Sequence, residues 1–363
     1  ISGSGNVRIK SAGGENMIIA TADDAVTLYH NNAAKLATSA AGVTVTGNVN
    51  GLAITTTATS NIGLGANAVN SITTGDYNVG LGGESLTTVT SGDDNVAVGY
   101  GVLQATTTAS DNTGLGSFAL FTNTTGSSNT AVGKDSLNAN TTGAQNTAMG
   151  TYALNANTTA INNTAVGYKA LYVNTTGAAN TAFGREALWS NTTATGNTAL
   201  GFQSQNRTTT GASNTSVGYD SLYTNTTGAN NVAVGKNALL VNTTAASNTA
   251  VGATSMIANT TGHSNSAFGR SSLIANTTGD HNTGIGYAAL LANTSANDNT
   301  AVGYSSLGAN TTGIANVAIG KDALGANTTA SVNTGIGYYA LKANTTGASN
   351  TAVGSQSLTA NTT

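Results

Sequence analysis

The chain has no cysteine and no proline. Without cysteine there is no disulfide framework and no thiolate zinc site. The compartment does not follow from this, because extracellular fibres also do without disulfides. Charge is nearly as scarce. Eleven Lys and Arg with fourteen Asp and Glu give 25 charged side chains among 363 residues, and the formal net charge is −3. So few cations cannot track a phosphate backbone, and nucleic acid is not an expected partner. No apolar run reaches the roughly 20 residues needed to cross a bilayer, so no membrane insertion is expected. Arg8, Lys10 and Glu15 interrupt the apolar positions of residues 1–20, which therefore do not read as a signal peptide. Histidine occurs three times and tryptophan once. No Ser/His/Asp constellation and no paired acids in a recurring pocket can be found. We expect no enzyme, no cofactor and no metal site.

What is present is repetition. From Asn61 to Asn350 the same unit returns every seventeen residues, giving eighteen copies. Asn129-Thr-Ala-Val-Gly133 recurs as Asn146-Thr-Ala-Met-Gly150 and onward to Asn350-Thr-Ala-Val-Gly354. A period in this range signals a solenoid or related array, whose size does not set a domain count in the usual way. The first position is Asn and the fifth Gly in all eighteen copies. The fourth is always apolar, and the ninth is Leu in fifteen, with Val69, Gln205 and Met256 the exceptions. Two helices do not fit in seventeen residues that carry Asn-Thr-Thr, a mandatory Gly and β-branched positions. A coil of a parallel β-solenoid does. At about 4.8 Å per coil, eighteen coils make a rod of about 85 Å.

Stacked coils put like side chains in columns. The expected ladder includes Asn129, Asn146, Asn163 and Asn180 at position one. It continues with Gly133, Gly150, Gly167 and Gly184 at position five, and Leu137, Leu154, Leu171 and Leu188 at position nine. Asn columns are a known stabiliser of stacked strands, and position twelve, Asn in fourteen copies from Asn123, suggests a second one. Gly at position five implies a positive φ or a close approach. Alternation along the strand is expected to turn position four inward with position nine, and to leave the small position three on the other face against a neighbouring backbone. Position nine is expected on a second short strand. The first three copies, with Ile72, Val89 and Thr106 at position twelve, read as a transition. The copy holding Gln205, Arg207 and Thr208 is expected to be irregular.

Residues 1–60 follow another pattern. Val7 and Ile9 alternate with Arg8 and Lys10, and Ala25–His30 and Gly42–Thr46 alternate likewise. These read as short strands, with turns at Gly13-Gly14, Asp23-Asp24 and Asn31-Asn32. So small a set of strands has little core of its own. The chain thus divides into an N-terminal β module, 1–60, and a shaft, 61–363. The opening Ile1-Ser-Gly-Ser-Gly5 and the close on Asn361-Thr-Thr363 inside a repeat suggest a segment of a longer polypeptide.

Glu15–Ala20, Asp24–His30, Lys35–Thr38 and Gly42–Gly47 resemble a module of phage tail fibres, especially those of marine and cyanobacterial hosts. Thr27 stands where that family often has Glu, and Asn31-Asn-Ala-Ala34 replaces a more charged stretch. The NTAVGYxALxxNTTG unit is similar to arrays in tail-fibre proteins. More loosely, it resembles the shorter head repeats of trimeric autotransporter adhesins. The resemblance implies a homotrimeric virion fibre, extracellular, joined to other tail proteins, with a host glycan or receptor met through a distal region. A bacterial cell-surface adhesin is the alternative. The thin core of each coil agrees with association of three chains, and position three and the position-nine Leu are the expected contacts.

At position six, Tyr168 precedes Arg185 by one coil, Tyr219 precedes Lys236, and Tyr304 precedes Lys321. Such a column is either a carbohydrate-binding strip or a solvated edge where cations lie over rings, and the second reading is preferred. Asn-Thr-Thr matches the N-glycosylation acceptor pattern, although turn and ladder chemistry explains it better. Adjacent threonines do not form the two-column array of an ice-binding face. Asp94 and Asp111 lie one coil apart at position seventeen, and His263 and His281 fall at different positions. A hard cation such as Ca²⁺ could bridge the two carboxylates, but their splaying into water is the preferred reading, and the His pair is only a weak metal signal.

Overall fold

The structure, a computed structural model, describes residues 7–21, 25–31, 33–39, 42–45, 54–55 and 60–362. The expected features at Ile1–Gly5, Asp23-Asp24, Asn32, Thr46-Gly47 and Thr363 lie outside these residues. The described chain is all-β. Near the N-terminus β1 (Val7–Lys10), β2 (Asn16–Ala20), β3 (Val26–His30), β4 (Ala33–Ser39) and β5 (Gly42–Val45) form an antiparallel meander in chain order. Gly14 turns β1 into β2 at φ 85°, and Asn31 turns β3 into β4 at φ 50°. Register sets Ile9 opposite Ile18, Ile18 opposite Leu28, and Leu28 opposite Leu36. That is an apolar row across four strands.

From Asn61 the chain winds into a parallel β-solenoid. Eighteen three-residue strands, β7 (Ile62–Leu64) to β24 (Thr351–Val353), occupy positions two to four of each coil and pair in parallel with the next. Register is the period itself, with Thr130 opposite Thr147 and Ala131 opposite Ala148. Ahead of them β6 (Ile54–Thr55) pairs antiparallel with β7. Bonding between coils continues beyond the strands. The Leu137 amide donates to the Ala153 carbonyl at 3.0 Å, and the Thr141 amide donates to the Thr158 carbonyl at 2.9 Å. A narrow coil can therefore satisfy its backbone without long strands. The first three coils pair through the same parallel strands but lack the second Asn column, which begins at Asn123. Ile72, Val89 and Thr106 are buried where later coils bury Asn.

The interior corrects the expected facing of the strand. Position three points inward, and Ala131, Ala148, Ala165 and Ala182 are fully buried. Position four points outward and is not buried in any coil; Phe183 is 53% exposed. The cause is the Asn at position one. Its side chain turns inward to bond the coil, and alternation then carries position three in and positions two and four out. Position three is small because side chains from positions eight and nine fill the space before it. A Cβ on Gly80 would meet Ser85 Oγ at 3.0 Å and Val69 Cγ1 at 3.2 Å. Apart from Leu358 in the last coil, position three and the position-nine Leu are sealed inside their own chain and do not reach its surface.

A second correction concerns position nine. Leu137, Leu154, Leu171 and Leu188 are buried as expected, but they sit in a turn at φ 48°–50° and not in a strand. A left-handed Leu costs roughly 1–2 kcal/mol, which burying the side chain, at about 1.5–3 kcal/mol, offsets. Gly at position five is required twice over. Gly133, Gly150, Gly167 and Gly184 lie at φ 127°–140°, and a Cβ on Gly167 would come within 2.6 Å of the Gly184 carbonyl oxygen.

Candidate functional site

Two kinds of column run along the rod, one set inside and one outside. Inside, each position-one Asn accepts from the coil after it. Asn146 N donates to Asn129 Oδ1 at 3.0 Å, and Asn163 N to Asn146 Oδ1 at 3.0 Å. Position twelve builds the second column, with Asn140 Nδ2 donating to Asn123 Oδ1 at 2.7 Å and Asn157 Nδ2 to Asn140 Oδ1 at 2.8 Å. These asparagines are fully buried and their side-chain amides are committed to the column. The first Thr of each pair is used as well. Thr141 Oγ1 donates to the Thr158 carbonyl at 3.1 Å. The second, Thr142 or Thr159, is exposed and forms a single outer file.

Outside, the column at position six brings together all three expected pairs. The Arg185 guanidinium lies 5.8 Å from the Tyr168 ring centre, Lys236 Nζ 5.7 Å from Tyr219, and Lys321 Nζ 5.5 Å from Tyr304. Residues outside position six join them. Lys169, at position seven, places its ammonium 5.3 Å from the centres of both Tyr168 and Tyr172. Tyr172 and Trp189, at position ten, lie parallel with centres 6.3 Å apart. Glu186 accepts from Gln203 Nε2 at 2.7 Å and pairs with Arg185 at 3.1 Å. The Gln203 hydrogen bond, ahead of the Arg185 contact, holds the Glu186 carboxyl below the usual carboxylate range. The left-handed backbone at Lys169 and Glu186 (φ 55° and 56°) accompanies this clustering of positions six, seven and ten. Spacing within one position could not reveal it.

The remaining polar candidates take backbone roles. His263 Nδ1 accepts from the Ala246 amide at 3.0 Å, and Asp280 Oδ1 from the His263 amide at 2.6 Å. His281 lies 3.8 Å from Asp298. Asp94 and Asp111 occupy left-handed turn positions at φ 56° and 61°. Among the described residues no group of three or more His, Cys, Asp or Glu converges as metal ligands, and no helix is long and apolar enough to cross a membrane. No protein-family model, curated protein or solved structure matches the chain.

Proposed function

We propose that this chain is the structural shaft of a phage tail fibre. It would act as a rigid, homotrimeric spacer carrying host recognition and attachment, extracellular on the virion and joined to other tail proteins. The observation that carries the spacer reading is the unbroken parallel ladder of eighteen strands, each bonded coil to coil around its turn. A rod whose every coil is bonded to the next on several sides resists bending and cannot shear one coil without losing all its bonds. The tail-fibre assignment adds the resemblance of residues 6–47 and of the repeat. The test is imaging of the full chain by negative-stain electron microscopy. Straight rods about 85 Å long support the spacer, and compact particles overturn it.

The second reading is a bacterial surface adhesin whose repeats bind glycan directly. The cluster of Tyr168, Lys169, Tyr172, Arg185 and Trp189 favours it, because rings beside hydrogen-bonding groups suit sugar faces. A glycan array separates the two. A spacer gives no binding, and an adhesin gives binding that Trp189→Ala removes.

A further inference from the structure

The outward face of the strands carries no charge in any coil. Position two is Thr, Ser, Val or Ile, and position four is Val, Leu, Ile, Met or Phe, in all eighteen copies. Position four forms one continuous apolar column, including Leu115, Met149, Phe183, Leu200, Phe268 and Ile285, each more than 40% exposed. A solvated sheet face has no use for such a column, and natural sheets guard open faces and edges with charge. At a fraction of each side chain, the column presents on the order of 1,000 Å² of apolar surface, against ~800 Å² per partner in a standard stable interface.

We propose that this column is where copies of the chain meet, packed in parallel and in register with their position-four residues facing a common axis. The inference rests on the homotrimeric shaft proposed above and names the face that assembles it. Three observations select a second copy as the occupant. The column is apolar from the first coil to the last, so its partner must run the length of the rod, whereas a globular partner needs only a few coils. The column's spacing is that of stacked strands, about 4.8 Å. A helix, with a pitch of 5.4 Å, falls half a step out of phase within about four turns, whereas another solenoid of this chain stays in step throughout. The side chains that would otherwise have made the contact, at positions three and nine, are sealed within each coil, apart from Leu358 in the last.

Because the chain has no cysteine, introduced thiols report the contact cleanly. V98C lies near one end of the column, and T159C lies on the exposed outer file. Light scattering on the full chain should give three times 35.6 kDa. V98C should form disulfide-linked dimers under mild oxidation, and T159C should not. F183E combined with L200E should yield monomers with an unchanged β-type circular dichroism spectrum, weakening association at least 100-fold. A monomeric wild-type chain sinks the trimeric reading together with this one. A trimer that survives F183E/L200E, or in which V98C stays reduced, leaves the trimer standing and removes this face. Antiparallel packing would hold the two V98C thiols tens of ångströms apart and also overturns the proposal. If F183E/L200E fails to fold, V98C against T159C still decides.

Discussion

Asn129 and Asn140, eleven residues apart on different corners of one coil, donate to the same acceptor. The Nδ2 of each lies 2.9 Å from the Gly143 carbonyl oxygen. The arrangement recurs at Ala160, bonded by Asn146 at 2.9 Å and by Asn157 at 3.1 Å. Positions one and twelve are therefore one network, tied once per coil through the carbonyl of position fifteen. A carbonyl with two lone pairs, turned inward, needs such donors.

Replacing Asn140 with Ala removes its bonds to Asn123 and Gly143 and the one it accepts from Asn157. We expect a loss of about 2–4 kcal/mol, because buried partners are left unmet. Asn140→Asp should cost more, since a carboxylate would face the oxygens of Asn123 and Gly143 without a proton to give. Hydrogen exchange on the full chain should show protection falling in residues 123–157 first. Unchanged exchange there would mean that the network contributes little.

Gly167→Ala tests the column at position five. At φ 133° with the Gly184 carbonyl group within 2.7 Å of the added carbon, the coil must both strain and spread. We expect a loss of about 3 kcal/mol or more. Gly262→Ala, at position fifteen, should cost less, although a Cβ there would also meet a backbone carbonyl, that of Gly279, because other coils of the same column accommodate Ala. Ala already stands there at 109, 160, 194, 245, 296 and 330, and no positive φ is required. Equal melting shifts for the two variants would refute the assignment of φ as the deciding constraint.

These two columns were legible in the sequence because a residue required in every coil repeats in every coil. The facing of the strand was not legible. A strand of three residues is too short for alternation to announce its inner side, and the large residues at position four invited the opposite reading. Inward Leu137 could be read from its recurrence. Its left-handed backbone could not, since nothing in leucine chemistry asks for it. Tyr168 with Arg185 followed from the period, whereas Lys169, Tyr172, Glu186 and Trp189 joined them through the shape of the turn. Of the row Ile9, Ile18, Leu28 and Leu36, the alternation marked the strands of Ile9 and Leu28, whereas Ile18 and Leu36 lie in strands whose residues do not alternate clearly.

Asp220 offers a pH-dependent test. Burial raises its carboxyl above the usual range, with Lys236 opposing only in part, and its Oδ1 has no hydrogen-bond partner. An acid whose folded pKa is raised destabilises the fold when ionised. That penalty is full above the folded pKa and fades as pH falls through it toward the unfolded value. Asp220→Asn should therefore stabilise the chain at neutral pH, aided by the tolerance of Asn for the left-handed turn (φ 50°). The advantage should shrink as the solution is acidified and the carboxyl takes up its proton. Melting curves of both chains from pH 7 to pH 4 check this, and a gap that widens toward acid would contradict it.

The coil beginning at Asn197 should be where the rod comes apart. Its backbone ladder is intact, with Gln205 N donating to the Ser221 carbonyl at 3.0 Å, so the expected irregularity lies in the interior. Gln205 replaces the core Leu and donates to the Thr198 carbonyl and to Ser216 Oγ, each at 2.9 Å, while its Oε1 finds no partner. Ser204 bonds Ser216 and Ser221 beside it. Thr208 interrupts the second Asn column. Asn191 Oδ1 is left without a donor, and Asn225 reaches Thr208 only at 3.4 Å. The apolar core accordingly falls into two clusters, one closing at Leu188 and Ala199, the other opening at Leu222. In a linear array, stability is a sum of coils and of the interfaces between them, and a weak interface uncouples the two sides. We expect two unfolding steps in denaturant, with early hydrogen exchange at residues 197–213. Combining Gln205→Leu, Thr208→Asn and Ser216→Ala restores the residues found in neighbouring coils, and should merge the steps into one at higher denaturant concentration. A wild-type chain that unfolds in a single step, at a midpoint these changes do not move, would show that both halves are coupled through the backbone ladder alone.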